Sequence, residues 1–205
     1  MGFLDSVTDR EAKALKKAQK LMEAEGGAVP SAESLKRAKE ALDETSKEPS
    51  LVRKDEFSGS FARLSDLFLQ AGVPDEALAC ADAALRPMPD NPYAVTCKAR
   101  SLAAKGSMQE AVAALDTFLA RTPTDKSLLV EKGWILDRSG KPAEAIECWK
   151  KALEVDPTDL FLYDVLASKT RDKSTWLMKK AAMLTQGNGQ GGDHGARRRC
   201  LRRTR

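Results

Sequence analysis

The sequence has few residues from which to build a catalytic or metal site. It contains one histidine, His194, and four cysteines, none of which form a CxxC pair. Zinc sites usually combine several closely spaced cysteines and histidines. His194 lies in a Gly-rich segment, whereas catalysis requires side chains that packing holds in position. We therefore predict that the protein is not an enzyme and has no metal or cofactor site.

Long apolar runs and β-forming segments are also missing. Aromatic residues make up 5% of the chain, and no apolar run approaches the length of a membrane span. The N-terminal residues lack the hydrophobic stretch of a secretion signal. We predict a helical protein in the cytoplasm, without membrane contact. Its thiols are expected to be free, as is usual in a reducing compartment; they belong to Cys80, Cys97, Cys148 and Cys200.

A period of 34 residues is the main positive feature of the sequence. It recurs three times, at 58–91, 92–125 and 126–159. Such a period with helix-turn-helix content indicates a repeat architecture, because an ordinary helical bundle has no reason to keep residues in register. The residues that recur are Gly72, Gly106 and Gly140; Glu76, Glu110 and Glu144; Ala77, Ala111 and Ala145; and Pro89, Pro123 and Pro157.

The last unit shows how each repeat is expected to fold. Gly133 leaves room where the second helix crosses the first, and Gly140 can adopt the positive φ that ends a helix. Pro142 suits the first turn of the second helix, where an amide hydrogen would have no partner. Trp149 fills the apolar stripe of that helix, and Pro157 ends it.

This spacing resembles the tetratricopeptide repeat. The residues that carry the resemblance in the third unit are Leu129, Lys132, Gly133, Leu136, Ala145, Trp149, Ala152 and Pro157. Lys98 and Lys132 stand where the family prefers leucine, and Phe118 replaces a small alanine. The resemblance implies an all-α, right-handed solenoid. It also implies a non-catalytic scaffold that binds a peptide or protein segment in a concave groove.

The segments outside the register are predicted to complete the solenoid. Residues 1–57 contain two amphipathic stretches that favour a charged helical hairpin, which would be a cap, a diverged repeat or a mobile arm. Residues 160–185 begin like another first helix and then supply a final helix to cover the open end. Residues 186–205 are Gly-rich and Arg-rich and are predicted to be disordered.

The C-terminal arginines account for the positive charge of the chain. The net charge is +4, and the arginines near the end exceed that total. Such a tail either binds nucleic acid or anionic surfaces by releasing counterions, or has no function. Nucleic-acid binding by the tail is therefore the alternative function, and self-assembly through the solenoid ends is a third. The arginines are Arg197, Arg198, Arg199, Arg202, Arg203 and Arg205.

The resemblance also implies which residues line the groove. They are the second, fifth, ninth and twelfth of each unit, where Tyr93, Trp134 and Phe161 are large and apolar. Aromatic residues often anchor interfaces, although Trp134 could instead pack only between neighbouring helices. The predicted groove residues are Tyr93, Thr96, Arg100, Val130, Trp134, Asp137 and Phe161.

The charges of the predicted groove suggest the kind of partner. Arg100 is expected to meet an acidic or carbonyl group, whereas Asp66, Asp137 and Asp164 would favour a basic neighbour. An extended or helical peptide with apolar anchors and some positive charge is therefore expected.

Chaperone C-terminal tails are not expected as partners. Family members that bind them hold the terminal carboxylate with a clamp of Lys, Asn and Arg residues. The clamp positions here carry Ala62, Asp66, Cys97, Ser127 and Glu131. The cations and amides are missing, and Asp66 and Glu131 would repel a carboxylate.

Overall fold

The computed structural model describes residues 2–23, 29–45 and 53–187 of the chain. The predicted tail arginines, from Arg197 to Arg205, and Cys200 lie outside the described residues. Within the described ranges the chain forms ten helices and no strand. These helices are α1 (Gly2–Met22), α2 (Ala32–Asp43), α3 (Lys54–Gln70), α4 (Pro74–Leu85), α5 (Pro92–Ala104), α6 (Met108–Leu119), α7 (Lys126–Arg138), α8 (Pro142–Val155), α9 (Leu160–Lys169) and α10 (Lys173–Gly187).

The pairs α3–α4, α5–α6 and α7–α8 form three helical units that stack into a right-handed solenoid. The turn within each unit has the same geometry. Gly72, Gly106 and Gly140 have φ values of 74°, 90° and 80°. In each turn, the residue after the glycine donates its amide to a carbonyl five residues earlier at 2.9 Å. This is the hydrogen bond that closes a helix on a left-handed glycine, so the role predicted for Gly140 is confirmed.

The helices of the repeats start at capping side chains or at prolines. The first helices α5, α7 and α9 are preceded by the N-cap residues Asn91, Asp125 and Asp159, whose side chains accept hydrogen bonds from backbone amides of the first turn at 3.0–3.3 Å. Such a cap contributes about 1 kcal/mol. The second helices α4 and α8 begin instead with Pro74 and Pro142 in their first turn, as predicted for Pro142.

The crossing of α7 and α8 depends on a glycine and a tryptophan. Trp149 is fully buried, and its indole Nε1 donates to the carbonyl of Val130 at 3.3 Å. A Cβ atom on Gly133 would overlap this indole ring. The close approach predicted at Gly133 is therefore confirmed, and its cause is the bulk of Trp149.

Small residues hold α3 and α5 close together. We call this contact the α3–α5 seam; it includes Ala62 and Ser65 on α3 and Cys97 and Ser101 on α5, all buried. The Cys97 thiol donates to the carbonyl of Ala62 at 3.4 Å. The hydroxyls of Ser65 and Ser101 lie 3.5 Å apart. Because these side chains are small, the two backbones can approach each other closely.

The helices α1 and α2 pack against each other, and both contact α3. Leu15 and Met22 of α1 and Leu35 of α2 lie in the same core cluster as Phe57 of α3. The division predicted after residue 57 falls inside α3, which begins at Lys54. The reason is that Phe57 is fully buried and already belongs to this core.

The C-terminal helix α10 packs against α9 on one side only. Trp176 lies with its ring centroid 6.3 Å from that of Tyr163, and Met183 adjoins the same core cluster. Leu177 and Leu184 remain exposed, because no described helix packs against that side of α10. The exposed end of the solenoid is therefore formed by α10 and not by α8.

Three of the four cysteines lie in the described part of the chain. Cys80, Cys97 and Cys148 are buried and form no disulfide, as predicted. Burial raises the pKa of Cys80 to about 12. Among the described helices, none combines the length and the apolar composition that crossing a membrane requires.

Candidate peptide-binding groove

A cavity of about 450 Å³ lies between the first helices α5 and α7, and we call it the α5–α7 groove. Five of the seven predicted groove residues line it: Tyr93, Thr96, Arg100, Val130 and Trp134. The remaining two are placed differently. Phe161 stands beside Trp134, and Asp137 forms an ion pair with Lys169.

The cavity is completed by Ser127, which is the second residue of its unit, and by residues that the rule did not predict: Pro92, Asp125, Lys126, Glu131 and Asp159. Most of them lie at the starts of the helices, at the junction between units. The periodic rule considered only one stripe along each first helix and therefore missed these ends. The comparison with the carboxylate clamp did point to Ser127 and Glu131, and capping signals could have indicated Asp125 and Asp159.

An ion-pair ladder joins three units across the groove. Arg100 on α5 donates from Nε to Glu131 Oε2 on α7 at 2.9 Å. Its Nη1 also donates to Asp66 Oδ1 on α3 at 3.3 Å. The Tyr93 hydroxyl donates to the other oxygen of Asp66 at 3.1 Å. The expectation that Arg100 meets an acidic partner needs correction, since two carboxylates of the chain already neutralise it.

The electrostatics of this ladder fix the protonation of its members. Burial alone would lower the pKa of Arg100, but Glu131, and then Asp66, outweigh that effect, so the pKa is raised. Burial, followed by the neighbouring Cys97 and Asp66, raises the pKa of Tyr93. Arg100 is therefore a permanent cation, and Tyr93 is a neutral donor at physiological pH.

The aspartates expected to attract a basic partner already have partners within the chain. Asp66 pairs with Arg100, as described above. Asp137 pairs with Lys169, and Asp164 pairs with Lys180. The physical reason is that a helix of the next unit, or the following helix, brings a cation next to each one. These three aspartates therefore do not by themselves make the groove acidic.

A second charged group lies at the junction of α7 and α9. The Lys126 ammonium lies 2.7 Å from Asp156 Oδ2 and 2.6 Å from Asp159 Oδ2. Hydrogen bonds to these two carboxylates raise the pKa of Lys126. The hydrogen bonds from Lys126 and then Thr158 lower the pKa of Asp156 to about 2. Lys126 is consequently held in place by two carboxylates, as Arg100 is.

Trp134 lines the groove and also packs against neighbouring helices. Its ring centroid lies 4.9 Å from that of Trp149 on α8 and 6.2 Å from that of Phe161 on α9. The side chain is half-buried, whereas Phe161 is 61% exposed. The groove therefore has an aromatic wall whose central ring is fixed by packing.

Two sequence profiles described as tetratricopeptide repeat match the chain, one over residues 63–126 and one over residues 127–159. Residues 63–159 are built of tetratricopeptide repeats. Tetratricopeptide repeats build interaction scaffolds for other proteins, and the helical units described above have that architecture. The predicted register of 34 residues is therefore the register of this family.

Solved structures with the same solenoid fold include MamA 41-end from Desulfovibrio magneticus RS-1. It is 18% identical, with a TM-score of 0.61, and the match covers 90% of this chain and 98% of that one. A crystal structure of MamA protein matches with 12% identity and a TM-score of 0.64, over 91% of this chain and 98% of that one. At these identities the likeness shows the fold alone. No curated protein matches the chain by sequence.

The described residues of the tetratricopeptide units form no metal site. No group of three or more histidine, cysteine, aspartate or glutamate side chains within the described ranges is arranged to hold a metal ion. Four of the carboxylates at or beside the groove bind lysine or arginine instead: Asp66, Glu131, Asp156 and Asp159. What the arrangement offers a ligand is an aromatic surface bordered by fixed charges.

Proposed function

We propose that the protein is a non-catalytic scaffold that binds a peptide or protein segment in the α5–α7 groove. The observation that carries this proposal is the cavity of about 450 Å³ with Tyr93, Val130 and Trp134 along it. Cavities of this size, lined by apolar and aromatic side chains with a few polar groups, are typical of binding sites. The volume suits a few partner side chains of an extended or helical segment.

The aromatic residues of the groove are held in place before any partner binds. Trp134 is packed against Trp149 and Phe161, and the hydroxyl of Tyr93 is bonded to Asp66. A partner therefore would not have to immobilise these side chains, and that lowers the entropic cost of binding. Preorganised aromatic rings are the residues that most often dominate interface energies.

The groups nearest the groove support a binding role over a catalytic one. Burial raises the pKa of the Cys97 thiol to about 12, so it is not a thiolate nucleophile at neutral pH. Arg100 and Lys126 are each occupied by two carboxylates. We also propose that chaperone C-terminal tails are not the partners, because no cation in this groove is free to clamp a carboxylate.

The test is to capture partners with the full chain and to quantify their binding to variants. Tyr93→Ala is the cleanest variant, because Tyr93 is 41% exposed and its loss leaves no core cavity. Trp134→Ala is the second. If either residue is a hot spot, we expect a loss of about 2 kcal/mol in binding, or roughly 30-fold.

The control for these variants is Trp176→Ala, which removes an aromatic ring on α10, outside the groove. Thermal midpoints are measured in parallel, since Trp134→Ala also removes contacts with Trp149. Unchanged affinity in both Tyr93→Ala and Trp134→Ala would place the binding surface elsewhere and refute the proposal.

The second candidate function is nucleic-acid binding by the C-terminal arginines. It is favoured by six arginines within the last nine residues of the sequence. Replacing all six with glutamine in the full chain is expected to abolish any binding to a labelled RNA or DNA strand. Added salt should weaken the binding of the unmodified chain steeply. If the glutamine variant binds equally well, the repeats carry the nucleic-acid site.

A further inference from the structure

Carboxylates outnumber cations around the α5–α7 groove. The cations are Arg100 and Lys126, which both line the cavity. Each is bound by two carboxylates: Arg100 by Asp66 and Glu131, and Lys126 by Asp156 and Asp159. Each of these groups therefore carries an excess negative charge. Asp125, also in the lining, adds another carboxylate to the same end of the groove.

Helix ends in the groove do not offset this charge. The N-termini of α5 and α7 lie at the groove and would by themselves favour an anion. In α5, however, the amides of Tyr93 and Ala94 already donate to the side chain of Asn91, and in α7 the amide of Leu128 donates to Asp125. Asp159 accepts from the amide of Leu162 in α9. The capping carboxylates of α7 and α9 thus place negative charge at the positive ends of these helices.

Apolar surface and negative charge therefore meet in one cavity. Tyr93, Val130 and Trp134 offer the apolar contact, and Asp125 and Asp159 supply the charge at the helix junction. A carboxylate oxygen can accept more than one hydrogen bond, so the oxygens that already accept from an amide or a lysine keep acceptor capacity. Aromatic faces next to carboxylates also suit a guanidinium or ammonium group, through cation–π attraction.

Building on the proposed function, we propose that the α5–α7 groove recognises a cationic peptide segment, in which arginine or lysine lies next to an apolar side chain. The apolar side chain packs on Tyr93, Val130 and Trp134. The cation lies near Asp125 and Asp159. An acidic segment would bring like charges together in a partly desolvated site, which is unfavourable. The partner is thus the opposite of a carboxylate-terminated tail.

The test uses three labelled peptides that differ only at two positions. The probe is fluorescein-Gly-Leu-Arg-Pro-Leu-Arg-Gly-amide, and its matched forms carry citrulline or glutamate in place of both arginines. Citrulline keeps the shape of arginine and removes its charge. Fluorescence anisotropy with the full chain is expected to show the arginine peptide binding at least about ten-fold more tightly than the citrulline peptide. The glutamate peptide is expected not to bind.

Groove variants locate the charge recognition. Asp125→Asn and Asp159→Asn keep a capping side chain, because asparagine is also a good N-cap. Each is expected to weaken binding of the arginine peptide by about three- to ten-fold and to leave the citrulline peptide unchanged. Asp116→Asn is the matched control, since Asp116 pairs with Lys132 and lies outside this groove. It should change neither affinity.

Two outcomes overturn the inference. One is that the arginine peptide fails to bind or binds no more tightly than the citrulline peptide. Partner capture with the Tyr93→Ala variant then decides separately whether the groove itself is a binding site. The other is that binding disappears when the six C-terminal arginines of the full chain are replaced with glutamine. Retained or tighter binding in that variant supports the groove as the cationic-peptide site.

Discussion

The α3–α5 seam and the α5–α7 groove are equivalent contacts between successive first helices. The helices of the seam pack closely, whereas those of the groove leave a cavity between them. At the fifth position of the unit, the seam has Ala62, which is fully buried, and the groove has Val130, which is half-buried. At the ninth position, Asp66 is followed by Arg100 and then by Trp134. The contact between first helices is therefore closed where the facing residues are small and open where they are large.

This difference separates two kinds of position in the repeat. The turn glycines, the caps and the small residues at helix crossings determine that each unit folds and stacks. The residues at the fifth and ninth positions determine how much surface is left between the stacked first helices. The α3–α5 seam is consequently structural, and the α5–α7 groove is where we propose that a partner binds.

The largest expected effect concerns the tryptophan that supports the open region. Trp149→Ala removes a fully buried indole that fills the α7–α8 crossing beneath Trp134. We expect the free energy of unfolding to fall by about 3–5 kcal/mol, measured by urea denaturation. Trp176→Ala, at a half-buried ring on α10, should cost clearly less. Equal losses in the two variants would mean that the open region does not depend on a buried aromatic support.

A matched pair of enlargements tests the seam against the groove directly. Ala62→Leu adds bulk where two backbones approach closely, and we expect a loss of about 1–3 kcal/mol in unfolding free energy. Val130→Phe adds about as many carbon atoms beside the open cavity, and its effect should stay within about 0.5 kcal/mol. If both substitutions cost the same, the contrast between a closed and an open contact is wrong.

A second matched pair compares two glycines. Gly140→Ala places a side chain at a φ of 80° and should cost about 1 kcal/mol or more in unfolding free energy. Gly59→Ala lies within α3, where an added Cβ would meet nothing within 4 Å. That substitution should stabilise the protein by about 0.5–1 kcal/mol because alanine favours the helix. Thermal denaturation of both variants checks the opposite signs.

The smallest expected effect is a pH dependence at the groove junction. The pKa of Asp156 is lowered to about 2 in the folded state, against an ordinary value of 3.8. The stabilising effect of Lys126 on Asp156 is therefore complete above about pH 4 and is lost as the pH falls from 4 towards 2. Because the pair is exposed to solvent, the effect is small.

The measurement for this pair compares the thermal midpoint of the natural protein with that of Asp156→Asn between pH 2 and pH 6. The difference in midpoint should be present near pH 6 and should shrink at the acid end. A difference that does not change with pH would show that Asp156 acts through packing or through its hydrogen bond to Thr158, rather than through its charge.

The fold could be predicted because its determinants repeat in the sequence. Gly72, Gly106 and Gly140 recur at a fixed spacing, and a positive φ is needed at each. The aromatic side of the groove was also predicted, because the family resemblance implies that the second and ninth positions of a unit, here Tyr93 and Trp134, face the groove. These features depend on position within a unit, which the period of 34 residues reveals.

The charge state of the groove could not be predicted in the same way. The pairing of Arg100 with both Asp66 and Glu131 depends on how far apart three successive first helices stand. The role of Asp125 and Asp159 as lining residues depends on where the helices begin. Distances between units are set by packing, and the periodicity of one chain segment does not report them.

The caps have a consequence for exchanging repeats between proteins. Asn91, Asp125 and Asp159 are the last residues of their 34-residue units, but each caps the first helix of the next one. A module cut at 92–125 or 126–159 would lack the residue that caps its own first helix. At its end it would carry the residue that caps the first helix of the following unit. Modules cut at 91–124 and 125–158 keep each helix with its cap, so recombination should be designed one residue earlier than the repeat suggests.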